Sequence, residues 1–350
     1  VMIRRILRYP GFRVIAQNSL HTSPILRLVK KEVIKKIYPF SHINVNLKVC
    51  RLKILPYDLL DCPDGDILRA TVIANSPDEN SDINILIQDN QVTVQNEDCP
   101  RVSEVTLEIP VKADLSIESD GAVELADLHS DRIAVKVLDG ISTRNLRSEE
   151  IQLHSKGGDI VCQGTTLGYR VQIKTENSGN ISLDKVLGEE LLVDSDSGSI
   201  STKSCYSTNS KFITNTGNLS LNNVHRNSEV NIVQEGNLNM CGFNGTLLAK
   251  VHRGSVRLHL AELWGENVVI TNESQEVGVN VSDSVIDSTY IHAAALNVHV
   301  DESLKHLRGE KETGATTLGQ KNLLNKLFIQ TKGRLEIKRL SWEDAMKLKM

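Results

Sequence analysis

A glycine recurs at nearly constant intervals through the middle of this 350-residue chain, and this periodicity restricts the folds that the chain can adopt. Between residues 121 and 254, successive members of the series are 18 to 21 residues apart. The series consists of Gly121, Gly140, Gly158, Gly179, Gly198, Gly217, Gly236 and Gly254. Such regularity indicates that one short structural unit is repeated along the chain.

Each repeat carries two short stretches in which apolar and polar residues alternate. Around Gly179, for example, the first stretch is Val171-Gln-Ile173 and the second is Ile181-Ser-Leu183. Alternation at every second position is typical of a strand with one buried face. The glycine between them has Ser, Asn or Asp neighbours, which favour turns, and glycine also tolerates positive φ. We therefore predict a tight corner at each glycine.

A repeat of about 19 residues with two strands cannot bury its own apolar face, so successive repeats must stack and share one core. The sequence thus predicts an all-β fold, a single-chain β-solenoid (β-helix) with rungs of about 19 residues. A β-sandwich is the alternative, because it also shows short strands separated by turns. The constant offset of the apolar positions from each glycine favours the solenoid, since strand and loop lengths vary in a sandwich.

The sequence on either side of the repeats divides the chain further. Residues 1–40 are predicted to be a mitochondrial transit peptide and linker, and 41–108 to be irregular N-terminal capping β-strands. The repetitive solenoid is predicted over 109–340, with a mobile loop at 307–320. A short C-terminal cap helix is predicted over 341–350. Atypical terminal units are common in repeat proteins, because one face of the last unit has no neighbour.

The leader prediction rests on composition. Residues 1–31 contain seven Arg and Lys residues and no acidic residue, together with several hydroxyl side chains. This composition is typical of a mitochondrial transit peptide, whereas a secretory signal needs an apolar core that Pro10, Gly11 and Arg13 interrupt. A disordered basic arm is the alternative. We expect a mitochondrial location, in the matrix.

The rest of the chain is acidic. The whole chain has 40 basic and 44 acidic residues, and all seven charges in the first 31 residues are positive. An acidic body does not provide the positive field that nucleic-acid binding requires, so we expect no nucleic-acid partner. We also expect no membrane span, because uncharged apolar runs of about 20 residues do not occur in the sequence.

Motifs for catalysis, cofactors or metals are not found. The cysteines form no C-x-x-C pair, which argues against zinc, and Cys162 is predicted to be a small core residue. Asp194-Ser-Asp196-Ser-Gly198 resembles the start of an EF-hand loop but lacks the closing Glu, so we interpret it as a turn. The cysteines are Cys50, Cys62, Cys99, Cys162, Cys205 and Cys241. We predict no catalytic, cofactor-binding or metal-binding residues, and no cofactor.

Two other residue types recur without forming a recognisable site. The histidines are scattered and are interpreted as solvated surface residues, including His252 and His259 on either side of Gly254. Five Asn-x-Ser/Thr triplets match the glycosylation pattern, and several of them would carry glycans in a secreted protein but not in a mitochondrial one. These triplets begin at Asn180, Asn218, Asn244, Asn272 and Asn280.

From residue 105 the sequence also resembles a known family. Val105-Thr-Leu-Glu-Ile-Pro110 is followed by Leu115-Ser-Ile-Glu-Ser-Asp-Gly121, and the cycle L-x-I/V-x-(S/T)-x-x-G-x-I/V then repeats. This pattern resembles the bacterial putative-adhesin, or toastrack, domain of unknown function, over roughly residues 43–340. The leader is similar to those of animal mitochondrial homologues of the family. The resemblance implies a β-solenoid and brings no catalytic residues.

Two hypotheses for the function follow. The first is a non-catalytic solenoid that acts as a binding or scaffold module for a protein partner. The sequence does not predict its oligomeric state. The second is a β-helix polysaccharide-active enzyme, or an extracellular adhesin-like protein. An enzyme of this kind would need paired carboxylates in a groove beside exposed aromatic residues. We predict the first, and hence that the chain is not an enzyme.

Overall fold

The computed structural model describes residues 13–14, 29–49, 51–58, 60, 63–74, 83–96, 102–309 and 314–340. It divides into two compact units, residues 1–158 with 166–168 and residues 159–165 with 169–350. Most of the described residues are in strands. Helix in the described ranges is confined to α1 (Asp283–Ser288) and a 3-10 helix (Glu302–Leu307). The prediction of an all-β solenoid is confirmed.

The strands of the first unit lie in the N-terminal half of the chain, and the last of them, β12, ends at Ser155. They are β1 (Arg13–Val14), β2 (Val29–Lys36), β3 (His42–Leu47), β4 (Arg51–Pro56), β5 (Ile67–Ala74), β6 (Ile83–Gln88), β7 (Gln91–Asn96), β8 (Val102–Ile109), β9 (Asp114–Ser119), β10 (Ala122–Ala126), β11 (His129–Val137) and β12 (Ile141–Ser155).

The strands of the second unit follow, except that residues 166–168 of β13 are grouped with the first unit. They are β13 (Ile160–Thr175), β14 (Ile181–Ser195), β15 (Ile200–Thr216), β16 (Leu219–Asn222), β17 (His225–Glu235), β18 (Leu238–Arg253), β19 (Val256–Leu263), β20 (Glu266–Thr271), β21 (Glu276–Val281), β22 (Thr289–Ala294), β23 (Asn297–Val300), β24 (Thr316–Leu318), β25 (Asn325–Gln330) and β26 (Arg334–Arg339).

Equivalent strands of successive rungs pair in parallel, so that equivalent residues form columns. One column in the second unit contains buried aliphatic residues from seven rungs. Its members are Ile181, Ile200, Leu219, Leu238, Val256, Val277 and Leu335. Burying one such side chain stabilises a fold by roughly 1.5–3 kcal/mol, which is why the narrow core suffices when many rungs share it.

The corner glycines also form columns. A Cβ on Gly198, Gly217 or Gly236 would lie closer than 3.0 Å to the backbone of the preceding corner glycine. In the first unit, Gly158 lies against Gly140 in the same way. The predicted corners are confirmed, but the predicted reason is wrong for most of them. Of these stacked glycines only Gly254 has a positive φ, 133°, so close backbone approach is what requires glycine here.

At both ends of the repeats, the order of the rungs in space differs from their order in the chain. In the first unit, β3 pairs in parallel with both β7 and β9, so the first rung lies inside the stack. In the second unit, β25 pairs in parallel with both β20 and β22, so the last rung is also inserted. Antiparallel strands then cover the outer rungs: β5 lies on β8, β6 on β7, and β24 on β22.

The predicted boundaries therefore need correction. Residues 29–36 form β2, which pairs with β5, so folded chain begins within the segment assigned to leader and linker. β3 and β4 pair in parallel with β9 and β10 and so belong to the solenoid itself, not to its cap. The predicted loop at 307–320 contains β24. The predicted cap helix at 341–350 lies outside the described residues, as do 1–12 and 15–28 of the leader.

Candidate binding face

An open groove of about 820 Å³ lies on the second unit and is lined by residues of β13, β14, β15, β17, β18 and β20. Its volume is within the range of ordinary ligand pockets. Each strand contributes residues at the same level of the rung, so the groove runs across the strands, along the direction in which the rungs stack.

The first wall of the groove has charged residues at its ends and neutral residues at its centre. At one end, Arg170 Nε donates a hydrogen bond to Glu190 Oε2 at 2.9 Å. Asn209, Asn227 and Thr246 follow on the next three strands, in register with Glu190. Asn227 Nδ2 donates to Asn209 Oδ1 at 3.0 Å. At the other end, Glu266 lies 3.8 Å from the Nζ atom of Lys326.

The second wall is formed by the outward residues two positions further along each strand. One ion pair lies at its centre, with Lys211 Nζ 2.9 Å from Glu229 Oε1. Leu192 precedes this pair, and Leu248 and Val268 follow it. All three are half-buried. The wall thus offers apolar contact on both sides of a single charged pair.

Buried side chains form the floor of the groove. Val171, Leu191 and Leu247 are buried, and so are the hydroxyl residues Ser210 and Ser228. Ser210 Oγ donates to Ser228 Oγ at 3.2 Å. Because buried polar groups with satisfied hydrogen bonds hold one arrangement, this floor is rigid.

Two exposed aromatic residues lie next to the groove. Tyr169 is 58% exposed and directly precedes Arg170. Trp264 is 43% exposed, and its carbonyl oxygen accepts a hydrogen bond of 2.9 Å from Thr246 Oγ1. Tyr and Trp are enriched among the residues that dominate binding energy at interfaces.

The arrangement of charges limits the chemistry of the groove. Each of its three carboxylates, on Glu190, Glu229 and Glu266, lies within 3.8 Å of a Lys or Arg nitrogen. The groove can form hydrogen bonds and apolar contacts with a bound molecule, and each of its carboxylates is already engaged by a cation of the chain itself.

Comparison with known proteins identifies the family. The family model described as Toastrack DUF4097 matches residues 71–332. This chain is a member of the toastrack family. The match covers most of the solenoid, including every residue that lines the groove.

The solved structures similar to this toastrack chain include three bacterial putative adhesins. A putative adhesin from Parabacteroides distasonis is 11% identical, with a TM-score of 0.38, over 89% of this chain and 96% of its own. A putative adhesin from Parabacteroides merdae is 12% identical, with a TM-score of 0.35 over the same shares. One from Bacteroides fragilis is 12% identical, with a TM-score of 0.30, over 91% of this chain and 99% of its own.

The cysteines of the toastrack chain that the structure describes, Cys162, Cys205 and Cys241, are not in disulfide bonds. Cys162 is buried in β13, as predicted for a core residue, and Cys205 is buried in β15. Burial raises the pKa of the Cys205 thiol, although hydrogen bonds with Ser207 and Ser210 oppose the shift. Cys50, Cys62 and Cys99 lie outside the described residues. Groups of three or more potential metal ligands are not found in the described ranges.

The turn that resembles an EF-hand start has a structural role in this toastrack chain. Ser195 is buried, and its Oγ accepts a hydrogen bond of 2.9 Å from the N–H of Gly198. Thr175 Oγ1 donates to Ser195 Oγ at 3.0 Å from the preceding rung. The hydroxyl group of Ser195, three residues before Gly198, therefore fixes the corner. The recurring Ser/Thr position of the sequence cycle supplies this hydroxyl group.

One histidine contradicts the prediction of solvated surface histidines. His259 is only 8% exposed, and it lies on β19, against which α1 packs. Its Nδ1 atom is 3.8 Å from the Sγ atom of Cys241 on the neighbouring rung. His252 is half-buried and lies 3.1 Å from the side chain of Asn272. The alternation of apolar residues along β19 does not predict the burial of His259.

A polar ladder along the corners was also missed. From Gly158 to Gly236, the residue after each corner glycine accepts, through its side chain, a hydrogen bond from the backbone N–H of its counterpart in the next rung. Asn218 Oδ1, for example, accepts from Asn237 N at 2.9 Å. The ladder consists of Asp159, Asn180, Ser199, Asn218, Asn237 and Ser255. Two of the Asn-x-Ser triplets, at Asn180 and Asn218, therefore have a structural use.

None of the helices in the described part of this toastrack chain is long and apolar enough to cross a membrane.

Proposed function

We propose that this toastrack protein is a non-catalytic mitochondrial β-solenoid that acts as a binding or scaffold module, and that the groove binds a protein partner. The observation that carries the proposal is the neutral row Asn209, Asn227 and Thr246, with an ion pair at each end of the same wall. Amide and hydroxyl groups of this kind form hydrogen bonds with the backbone and polar side chains of a partner.

Rigidity supports a binding role. Each residue of the wall is on a strand that pairs in register with its neighbours, and the floor beneath is buried and hydrogen-bonded. Side chains held in place before binding lose little conformational entropy when a partner arrives. Tyr169 and Trp264 add exposed aromatic surface for apolar contact.

The polysaccharide-active enzyme is the second candidate, and the exposed aromatic residues beside the groove are the observation that favours it. Against it, the carboxylates of the groove are all ion-paired. Incubating the protein with uncharged and acidic polysaccharides and measuring new reducing ends would detect hydrolysis. Turnover that Glu190→Gln or Glu229→Gln abolishes would overturn the non-catalytic proposal.

The mitochondrial part of the proposal rests on the acid-poor, arginine-rich composition of the first 31 residues. Fusing residues 1–40 to a fluorescent reporter tests it separately from the binding proposal. Delivery of the reporter to the matrix would support the location and, with it, the proposed membership of the animal mitochondrial branch of the family. Secretion of the full chain with glycans would favour the extracellular adhesin-like alternative.

Photo-crosslinking tests the binding face. A photo-reactive amino acid in place of Asn209 would lie within the groove, whereas the same residue in place of exposed Asn237 would lie on the corner ladder. We expect one dominant protein product from the Asn209 position in intact mitochondria and not from the Asn237 position. Identical products from both positions would contradict the proposal.

A charge swap separates recognition from stability. Exchanging Lys211 and Glu229 (Lys211→Glu with Glu229→Lys) keeps the ion pair but reverses its direction. The swapped protein should unfold at the same temperature as wild type, yet give less of the Asn209 crosslink. An unchanged crosslink would place the contact elsewhere.

A further inference from the structure

In the first unit, nearly every arginine that the structure describes has a carboxylate partner on a neighbouring strand. Arg51 lies 2.9 Å from Glu124, and Arg69 lies 3.1 Å from Glu108. Arg132 lies 3.5 Å from Glu150. Because the chain has more acidic than basic residues, such pairs are expected. A cation without a carboxylate partner is therefore an exception.

Three basic residues in this unit converge without such neutralisation. The Nζ atom of Lys112 lies 3.1 Å from both ring nitrogens of His129. His129 begins β11, and the parallel register places Arg147 of β12 directly beside it. Within the described residues, Lys112 and Arg147 have no carboxylate within the 4.0 Å that defines an ion pair. Both side chains are exposed, and His129 is half-buried.

The local electrostatics agree with an excess of positive charge. Burial lowers the pKa of His129, and the charges of Lys112 and Arg147 lower it further. Asp131 is the one carboxylate that acts on the ring, and its opposing effect is the smallest of the four. Nearby Asp114 accepts hydrogen bonds from the backbone N–H groups of Asp131 and Arg132 through Oδ1. These surroundings therefore favour a neutral imidazole between two permanent cations.

We propose that Lys112, His129 and Arg147 form a binding site for a phosphate-type oxyanion. An ammonium and a guanidinium supply several N–H donors, and the guanidinium fork matches the oxygens of a phosphoryl group. A dianion bound between them reverses the local field, so the imidazole takes up a proton and becomes a further donor. A carboxylate, with a single charge, would gain less from three cations.

Titration calorimetry on the full chain with inorganic phosphate tests the site, with acetate as the singly charged comparison. We expect saturable phosphate binding at millimolar concentration or below, at least tenfold tighter than acetate. Lys112→Gln and Arg147→Gln should each weaken it by about tenfold, which corresponds to about 1.4 kcal/mol. Lys136→Gln removes the same charge from an exposed position of β11 and should leave binding unchanged.

The ionisation of His129 gives a readout that a purely structural role would not change. In proton NMR, the His129 ring should titrate below its ordinary value without phosphate, and its pKa should rise when phosphate saturates the site. Repeating the titration with O-phosphoserine shows whether the site binds an esterified or a free phosphoryl group more tightly. Absence of saturable binding, equal loss in all three variants, or a His129 titration that phosphate does not move would overturn the proposal.

Discussion

The carbonyl oxygen of Gly198 occupies the space into which a side chain on Gly217 would project. Gly217 in turn occupies the corresponding space at Gly236, and Gly236 that at Gly254. Each corner therefore depends on the absence of a Cβ in the next rung. This relationship explains why the glycines recur at the interval of one rung, and why the backbones of neighbouring corners lie so close.

Removal of the buried hydroxyl beneath a corner should destabilise the fold. In Ser195→Ala, the N–H of Gly198 loses its acceptor, whereas the hydroxyl of Thr175 keeps its bond of 2.8 Å to the carbonyl oxygen of Gly179. A buried donor left without a partner costs about 1–3 kcal/mol. Urea unfolding followed by far-ultraviolet circular dichroism would measure the loss.

The control for this substitution lies in the same turn. Ser197 is exposed, so Ser197→Ala should change the free energy of unfolding by less than about 0.5 kcal/mol. Equal stabilities of the two variants would show that the buried hydroxyl does not hold the corner.

The stability of the second unit should fall at acid pH partly because of His225. Its imidazole stacks on Tyr206 with ring centroids 4.6 Å apart, and burial lowers its pKa below the ordinary 6.5. The unfolded chain therefore binds the proton more readily than the folded one. Stability from this group is complete above about pH 6.5 and decreases as the pH falls towards the folded pKa.

The substitution His225→Phe keeps an aromatic ring against Tyr206 but removes the titrating group. We expect its free energy of unfolding to depend less on pH between about pH 7.5 and 5 than that of wild type. Parallel pH profiles for the two proteins would contradict the assignment.

The cysteines should differ in reactivity. Cys205 is fully buried and has a raised pKa, whereas Cys241 is half-buried. Since the thiolate is the reactive form, iodoacetamide should label Cys241 in the folded protein well before Cys205. Mass spectrometry of native and urea-unfolded samples would measure both rates. Equal labelling in the native sample would indicate that the rung containing Cys205 opens readily.

The repeat interval was sufficient to predict the parallel stacking of rungs, because a residue at a fixed offset from its glycine must meet its counterpart in the next rung. The order of the terminal rungs was not predictable in this way. Insertion of β25 between β20 and β22 is a long-range pairing, and nothing local in the sequence of β25 distinguishes it from a rung at the end of the stack.

The candidate site was predictable only in part. Arg170, Glu190, Asn209, Asn227 and Thr246 each precede the next corner glycine by eight or nine residues, so their alignment follows from the repeat. The bending of the strands decides which column of outward residues lines a concave surface. The alternation of apolar residues does not predict this bending. His129 and Arg147 each precede the next corner glycine by 11 residues, so their pairing also follows from the repeat, whereas the approach of Lys112 from a turn does not.

The most direct test of the stacked-corner account is the free energy of unfolding of Gly217→Ala compared with that of Gly278→Ala. A Cβ on Gly217 would meet backbone atoms closer than 3.0 Å, whereas one on Gly278 would meet its nearest neighbour at 3.9 Å. We expect Gly217→Ala to lose about 1–3 kcal/mol or more, as overpacking does, and Gly278→Ala to match or exceed wild type. A Gly217→Ala protein as stable as Gly278→Ala would contradict the account.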